Sequence, residues 1–172
     1  GERENEKLFA AEEARKRLQL GHEKRAWALA DGGEYVEALN AWDAVLALTE
    51  ENQRNRYRVY RLNTLARSGE HLQATREAEA LLAVLGTTGS GAFEVGGVHA
   101  VAAVAARQAA NVTESERGRL AEQYALRALA LLQVAEKQGW FKQSAKVKRL
   151  NQDRTFDGLR ERADFKALLK RL

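Results

Sequence analysis

The sequence predicts an all-α protein, because three observations favour helices and none favours strands. The 172 residues include no proline, the residue that most strongly breaks helices. The chain is rich in Ala, Leu, Glu, Arg and Lys, which are strong helix formers. Apolar residues recur at spacings of three and four, as in Leu8, Ala11, Ala14 and Leu18, and no stretch has the strict alternation typical of a strand.

A short repeat divides the first half of the chain into two similar parts. The segment GEYVEA at residues 33–38 reappears as GEHLQA at residues 69–74. Gly33 and Gly69 suit the left-handed conformation that often ends a helix, and Ala38 and Ala74 allow two antiparallel helices to approach closely. Each part is therefore predicted to be a helical hairpin. The helices are predicted over residues 22–31, 35–48, 54–67 and 71–85.

The repeat resembles the tetratricopeptide repeat, whose unit of about 34 residues has glycine, an aromatic residue and alanine around its central turn. Ala26, Gly33, Tyr35, Ala38 and Trp42 carry the resemblance in the first copy, and Leu62, Gly69, His71 and Ala74 carry it in the second. The resemblance implies a right-handed stack of about three helical hairpins. These are repeat 1 over residues 22–50, repeat 2 over 54–86, and a divergent repeat 3 over 92–137 with helices at 93–109 and 115–137.

The last third of the chain resembles a more specific group. It resembles the C-terminal repeat region of planctomycete-type bacterial serine/threonine protein kinases and their kinase-free relatives. The resemblance is carried, in order, by FEVGGVHA from residue 93, LAEQYA from residue 120, GWF from residue 139 and FDGLRERADFKALLKRL from residue 156. The resemblance implies a signalling protein that is cytoplasmic or tethered to a membrane. A kinase domain would lie outside this chain, since the strings VAIK, HRD and DFG are absent.

The two ends of the chain are expected to cover the ends of the helical stack, so that residues 1–172 form a single domain. A stack of hairpins exposes its last apolar face unless an atypical terminal unit covers it. Residues 2–19 are predicted to be a separate amphipathic helix, either a cap or the continuation of an upstream domain. The predicted C-terminal cap, residues 140–172, supplies Trp140, Phe141, Leu150, Phe156, Leu159, Phe165, Leu168 and Leu169.

The sequence contains no recognisable catalytic, metal or cofactor motif, so we expect a protein that is not an enzyme. Cysteine is absent, and His22, His71 and His99 fall in three different hairpins without the spacing of a metal site. The glycine-rich residues 86–91 lack the ending of a phosphate-binding loop and are expected to be a flexible connection. The longest weakly polar run, residues 98–106, is too short to cross a bilayer, and we expect a cytoplasmic location without a membrane span.

An arginine run in the second repeat suggests a binding surface. In the tetratricopeptide family, the first helices of successive hairpins line a concave groove. Aligning the repeats on their turn glycines assigns Glu23, Trp27, Arg56, Val59, Asn63 and Arg67 to that groove. The hypothesis is that the groove binds an acidic or C-terminal peptide of a partner protein. Arg56 and Arg67 would pair with carboxylates, Asn63 would bond the peptide backbone and Trp27 would give apolar contact. A solvated arginine face is the simpler alternative.

Two other interaction modes remain open alternatives at this point. Residues 137–172 carry 11 basic and 4 acidic side chains, so a nucleic acid or another anionic partner could bind Lys142, Lys146, Lys148, Arg149 and Arg154. Residues 1–50 are acidic by contrast, with 7 basic and 11 acidic side chains. Helical stacks also expose apolar ends that can pair symmetrically, so a homodimer is the second alternative.

Overall fold

The structure, a computed structural model, describes residues 2–172. Every regular element in this range is helical, so the predicted all-α class is confirmed. No helix of this range has both the length and the apolar character needed to cross a membrane. The α-helices are α1 (Glu2–Asp31), α2 (Tyr35–Leu48), α3 (Arg54–Arg67), α4 (His71–Leu85), α5 (Gly89–Gln108), α6 (Glu114–Lys137), α7 (Ser144–Gln152) and α8 (Ala163–Arg171), and 3-10 helices cover Glu51–Gln53, Trp140–Lys142 and Arg154–Leu159.

The chain forms two compact units that divide within α3. The first unit ends at Thr64, and the second unit is Leu65–Leu172. The first unit therefore contains α1, α2 and most of α3, and the second contains the last turn of α3 and the remaining helices.

Helix α1 is a single helix of 30 residues. The predicted break between a terminal helix at residues 2–19 and a hairpin helix starting at residue 22 is therefore wrong. Gly21 lies at the expected break, but one glycine costs a helix only about 1 kcal/mol relative to alanine, and its neighbours are strong helix formers. Only Ala26 and Ala30 of α1 are buried, so the helix contacts the rest of its unit mainly through its second half.

The glycine turns of the repeat are confirmed. Gly33 has φ +81° and Gly69 has φ +99°, both in the left-handed region that a side chain disfavours. In the first turn the Glu34 amide donates to the carbonyl of Leu29 at 2.9 Å, which satisfies one of the free carbonyls at the end of α1. Ala38 and Ala74, five residues after each glycine, are fully buried as the repeat predicts.

Trp42 is the largest side chain fully buried in the first unit. It packs with Ala26 of α1, Val45 of α2 and Tyr57 of α3. Its indole N–H donates to the hydroxyl of Thr64 at 2.9 Å, so the polar edge of the ring is satisfied inside the core. One aromatic residue thus joins the three helices of the unit.

The second unit is built around α5. Helices α4 and α6 and the 3-10 helix Arg154–Leu159 all pack on α5, and most of its residues are buried. Glycines on α5 allow these elements to approach closely. A Cβ on Gly96 would lie 3.3 Å from the Cβ of Leu131 on α6, and a Cβ on Gly97 would lie 2.9 Å from the Cγ2 of Thr155. Any side chain at these two positions would push its neighbour away.

Helix α5 begins earlier than the sequence indicates. The hydroxyl of Thr88 accepts a hydrogen bond from the amide of Gly91 at 3.0 Å, which caps a helix starting at Gly89. The expected flexible connection over residues 86–91 is therefore wrong for its second half, and Gly86, with φ +69°, remains in the turn. The side-chain cap at Thr88, together with the burial of Gly91, Ala92 and Phe93, offsets the low helix propensity of the glycines.

The apolar residues of the C-terminal segment are inside the second unit, as predicted from the sequence. Phe156 and Phe165 are at most 1% exposed, and the ring of Phe156 lies 5.2 Å from the ring of Phe93 on α5. Trp140 and Leu169 are the two predicted members that are only half-buried. The buried members are Phe141, Leu150, Phe156, Leu159, Phe165 and Leu168.

The contact between α5 and α6 gives a stability prediction. Gly96→Leu should lower the free energy of unfolding by about 1–3 kcal/mol, because the added side chain has no room against Leu131. Gly118→Leu is the matched control on α6, where nothing lies within 4 Å of an added Cβ, and it should raise the free energy by about 0.5–1 kcal/mol through helix propensity. Urea unfolding followed by circular dichroism measures both. Equal effects at the two positions would contradict the close approach.

The buried indole gives a second prediction. Trp42→Phe removes its hydrogen bond and part of its volume, and Thr64→Val leaves the indole N–H unpartnered. Each should cost about 1–3 kcal/mol of unfolding free energy. Because both changes break the same bond, the double variant should lose less than the sum of the single losses in the same assay. Strictly additive losses would show that the bond contributes nothing.

Candidate peptide-binding surface

Five of the six predicted groove residues lie on α1 and α3 of the first unit, the helices that pack on Trp42. Trp27 is 38% exposed, and its ring centroid lies 5.0 Å from those of both Trp42 and Tyr60. The rings of Trp27 and Trp42 make a T-shaped contact, with an interplanar angle of 88°. The exposed indole is therefore held rigidly and needs little ordering to contact a ligand.

Glu23 and Arg56 are linked through Tyr57. The Tyr57 hydroxyl donates to Glu23 Oε2 at 3.1 Å and accepts from Arg56 Nη2 at 2.8 Å. The Arg56 guanidinium also lies over the Tyr57 ring, 4.8 Å from its centroid. The hydrogen bond to Tyr57 raises the pKa of Arg56, which keeps the guanidinium charged.

Arg56 has no carboxylate among residues 2–172 within ion-pair distance, so most of its donors face solvent. The neighbouring arginines differ. Arg54 and Arg58 pair with Glu51 at 2.5 and 3.4 Å, and Arg61 pairs with Asp43 at 2.7 Å. The arginine run is therefore a partly neutralised surface, in which the Arg56 guanidinium is exposed and belongs to the same unit as the exposed Trp27 indole.

Asn63 follows Arg56 by two helical turns on the same face of α3, with Tyr60 between them. Its Oδ1 is buried and has no hydrogen-bond partner. An unsatisfied buried carbonyl typically costs about 1–3 kcal/mol. The oxygen has less than 1 Å² of accessible surface, so a ligand reaches it only if the Asn63 side chain rotates outward.

Two predicted residues differ from the expectation. Val59 is only 3% exposed and is part of the core of the first unit, so its assignment to a binding surface is wrong; it lies to one side of the face that holds Arg56 and Asn63. Arg67 is exposed at the end of α3 and belongs to the second unit.

Sequence reasoning missed Tyr57 and Tyr60, which position Arg56 and Trp27. The available signal was that a tyrosine in a core usually needs a partner for its hydroxyl.

Two of the three histidines, His71 and His99, take structural positions in the second unit. His99 is buried, and its Nε2 lies 2.8 Å from Glu79 Oε1, while Arg127 binds both oxygens of Glu79 at 2.7 and 2.8 Å. His71 Nδ1 lies 3.1 Å from the hydroxyl of Tyr124. Residues 2–172 contain no group of three side chains able to hold a metal ion. The expected contact of His99 at a helix interface is confirmed.

The basic C-terminal segment has fewer available charges than its sequence suggests. Arg149 binds both oxygens of Glu94, at 2.8 and 3.2 Å, and the ammonium of Lys146 lies 4.1 Å from the ring centroid of Trp140. Lys142, Lys148 and Arg154 are exposed. Two of the five candidate phosphate contacts are thus engaged within the unit, which weakens the nucleic-acid alternative.

Comparisons of the chain with protein-family models, with curated proteins and with solved structures find no match.

The buried histidine gives a pH prediction. Burial lowers the pKa of His99 below its ordinary 6.5 despite the nearby Glu79, and its Nδ1 has no acceptor for a second proton. Below pH 6.5 the unfolded chain therefore binds a proton that the folded chain resists, so stability should fall as the pH drops toward the folded-state pKa. His71 acts in the same direction, because burial lowers its pKa too.

Thermal unfolding at pH 7.5 and 5.5 measures this effect. The melting temperature should be lower at pH 5.5, and His99→Gln should reduce the difference while retaining a side chain that can donate to Glu79. His22→Gln, on α1, is the control and should keep the difference. An unchanged pH response in His99→Gln would contradict the assignment.

Proposed function

We propose that this chain is a non-catalytic protein-interaction module and that the first unit binds an acidic peptide segment of a partner protein. The observation that carries the proposal is the exposed Arg56 guanidinium, which has no carboxylate of residues 2–172 within ion-pair distance and lies on the same face of α3 as Asn63. We refer to the surface formed by Glu23, Trp27, Arg56 and Asn63 as the α1/α3 face.

The charge of Arg56 selects the ligand class. A guanidinium with several free donors matches a carboxylate with two parallel hydrogen bonds, which is stronger than a single neutral hydrogen bond. Glu23 is half-buried and accepts a hydrogen bond from Tyr57. Its negative charge repels a ligand carboxylate, so the carboxylate is expected to bind the donors of Arg56 that point away from Glu23. An Asp or Glu side chain, or a chain terminus, fits this arrangement.

Asn63 and Trp27 supply the remaining contacts. When the Asn63 side chain rotates outward, its Oδ1 accepts from a peptide amide, which fixes the direction of an extended backbone. The exposed edge of Trp27 covers an apolar ligand residue without losing side-chain freedom, because its ring is already held by Trp42 and Tyr60. The three contacts together predict an extended segment with one acidic and one apolar residue.

We further propose that the helical pairs form a stack of the tetratricopeptide type, within a bacterial signalling protein. The left-handed glycines at residues 33 and 69, the buried alanines five residues later and the buried Trp42 support this proposal. The packing of α5 on α6 supports a further hairpin. That the chain belongs to a bacterial signalling protein, either cytoplasmic or tethered to a membrane, is proposed on the basis of the sequence resemblance.

A peptide selection tests the binding proposal. The chain is screened against a library of random ten-residue peptides with free C-termini, and enriched peptides are measured by fluorescence anisotropy. Acidic peptides should be enriched, and Arg56→Glu should weaken their binding at least about tenfold through the lost charge-assisted bonds.

Arg58→Glu is the matched control on the same helix, because Arg58 is already bonded to Asn55 and Glu51. It should change the affinity by no more than about twofold, the scale of a partly screened surface charge. Equal losses in both variants would indicate nonspecific attraction to the arginine run, and no enrichment of acidic peptides would contradict the proposal.

A further inference from the structure

A negative charge lies next to Arg56 on the α1/α3 face. The Tyr57 hydroxyl donates to the Glu23 carboxylate at 3.1 Å and accepts from the Arg56 guanidinium at 2.8 Å. The two charged groups are therefore within two hydrogen-bond lengths of each other. The hydrogen bond to Tyr57 is the main cause of the raised pKa of Arg56, and the charge of Glu23 adds to it. The face thus presents a pair of opposite charges held by one hydroxyl.

The Glu23 carboxylate is only partly satisfied within the protein. Its Oε2 accepts from Tyr57, whereas its Oε1 accepts no hydrogen bond from residues 2–172 and is not buried. No basic side chain in this range lies within ion-pair distance of Glu23. Glu12 on the same helix differs, because it pairs with Arg15 at 2.6 Å and with Lys16 at 3.6 Å. Glu23 can therefore accept a cation that a ligand supplies.

Exposed apolar side chains adjoin Glu23 along α1. Leu20 precedes Glu23 by three residues and Trp27 follows it by four, so the three side chains are neighbours on the helix surface. Leu20 is 51% exposed and Trp27 is 38% exposed. A long basic side chain can cover apolar surface with its methylene groups while its charged end reaches a carboxylate. The surroundings of Glu23 suit such a side chain.

We propose that Glu23, with Leu20 and Trp27, binds a Lys or Arg side chain of the peptide whose acidic residue binds Arg56. This inference rests on the proposed function and narrows it, because the apolar contact on Trp27 comes from the methylene groups of a basic residue. Residues two positions apart in an extended peptide lie on one side, about 7 Å from each other. The basic and acidic residues are therefore expected two positions apart. A second acidic residue in place of the basic one would meet Glu23 and be repelled.

A double-mutant cycle between the chain and an enriched peptide tests the inference by fluorescence anisotropy. Glu23→Gln removes the charge but keeps an oxygen that can accept from Tyr57. It should weaken binding of the peptide about fivefold, the scale of one partly exposed ion pair. It should not weaken binding of the same peptide with its basic residue replaced by Gln, because both changes break one pair. Glu37→Gln, at an exposed residue of α2, is the matched control and should change neither affinity by more than about twofold.

The outcomes separate this inference from the proposed function. Peptides that bind in an Arg56-dependent manner but show equal effects of Glu23→Gln with and without their basic residue would overturn the inference alone. Enrichment of peptides with two acidic residues and no basic residue would do the same. If Arg56→Glu leaves the affinity of the enriched peptides unchanged, the proposed function is wrong and the inference fails with it. Circular dichroism of each variant verifies that the helices remain folded.

Discussion

The burial of Trp42 is the constraint on which the first unit and its candidate site depend. The ring lies between α1, α2 and α3, and its N–H bond to Thr64 fixes the position of α3 relative to α2. Trp27 and Tyr60 then pack against the same ring. The exposed residues of the α1/α3 face are therefore arranged by the core beneath them. Loss of the indole would disturb both the stability of the unit and the proposed binding.

The second unit uses a different physical device. Its central helix α5 has few large side chains, and glycine and alanine allow helix α6 and the C-terminal 3-10 helix to approach closely. Close approach increases the dispersion contacts per residue and compensates for the small apolar area of each side chain. The large residues Phe156 and Phe165 come from the C-terminal segment and complete this core.

Local signals in the sequence predicted much of the fold. The bounds of α2, α3 and α4 agree with the predicted ranges because a left-handed glycine ends α1 and α3, and this requirement is visible in the sequence. The continuity of α1 through Gly21 and the early start of α5 were not predicted. The first depends on the small free-energy cost of a glycine within a helix, and the second depends on the small stabilisation from a threonine cap. A pattern of apolar residues does not reveal either contribution.

The candidate site was predictable only in part, for a related reason. Helical spacing placed Arg56 and Asn63 on one face, but it could not show that Val59 turns into the core or that Glu51 and Asp43 neutralise Arg54, Arg58 and Arg61. The Arg61–Asp43 pair joins α3 to α2, and Glu51 lies in the 3-10 helix that precedes α3. The distinction between a solvated arginine run and a selective anion site therefore depends on tertiary structure.

The central claim is that an acidic peptide binds the α1/α3 face, and a nuclear magnetic resonance titration with a selected acidic peptide tests it most directly. The account predicts that the largest shift changes occur at the Trp27 indole N–H, the Asn63 side-chain amide and the Arg56 guanidinium, with little change on α7. Shift changes concentrated at Lys142, Lys148 and Arg154, or no saturable change on α1 and α3, would contradict it.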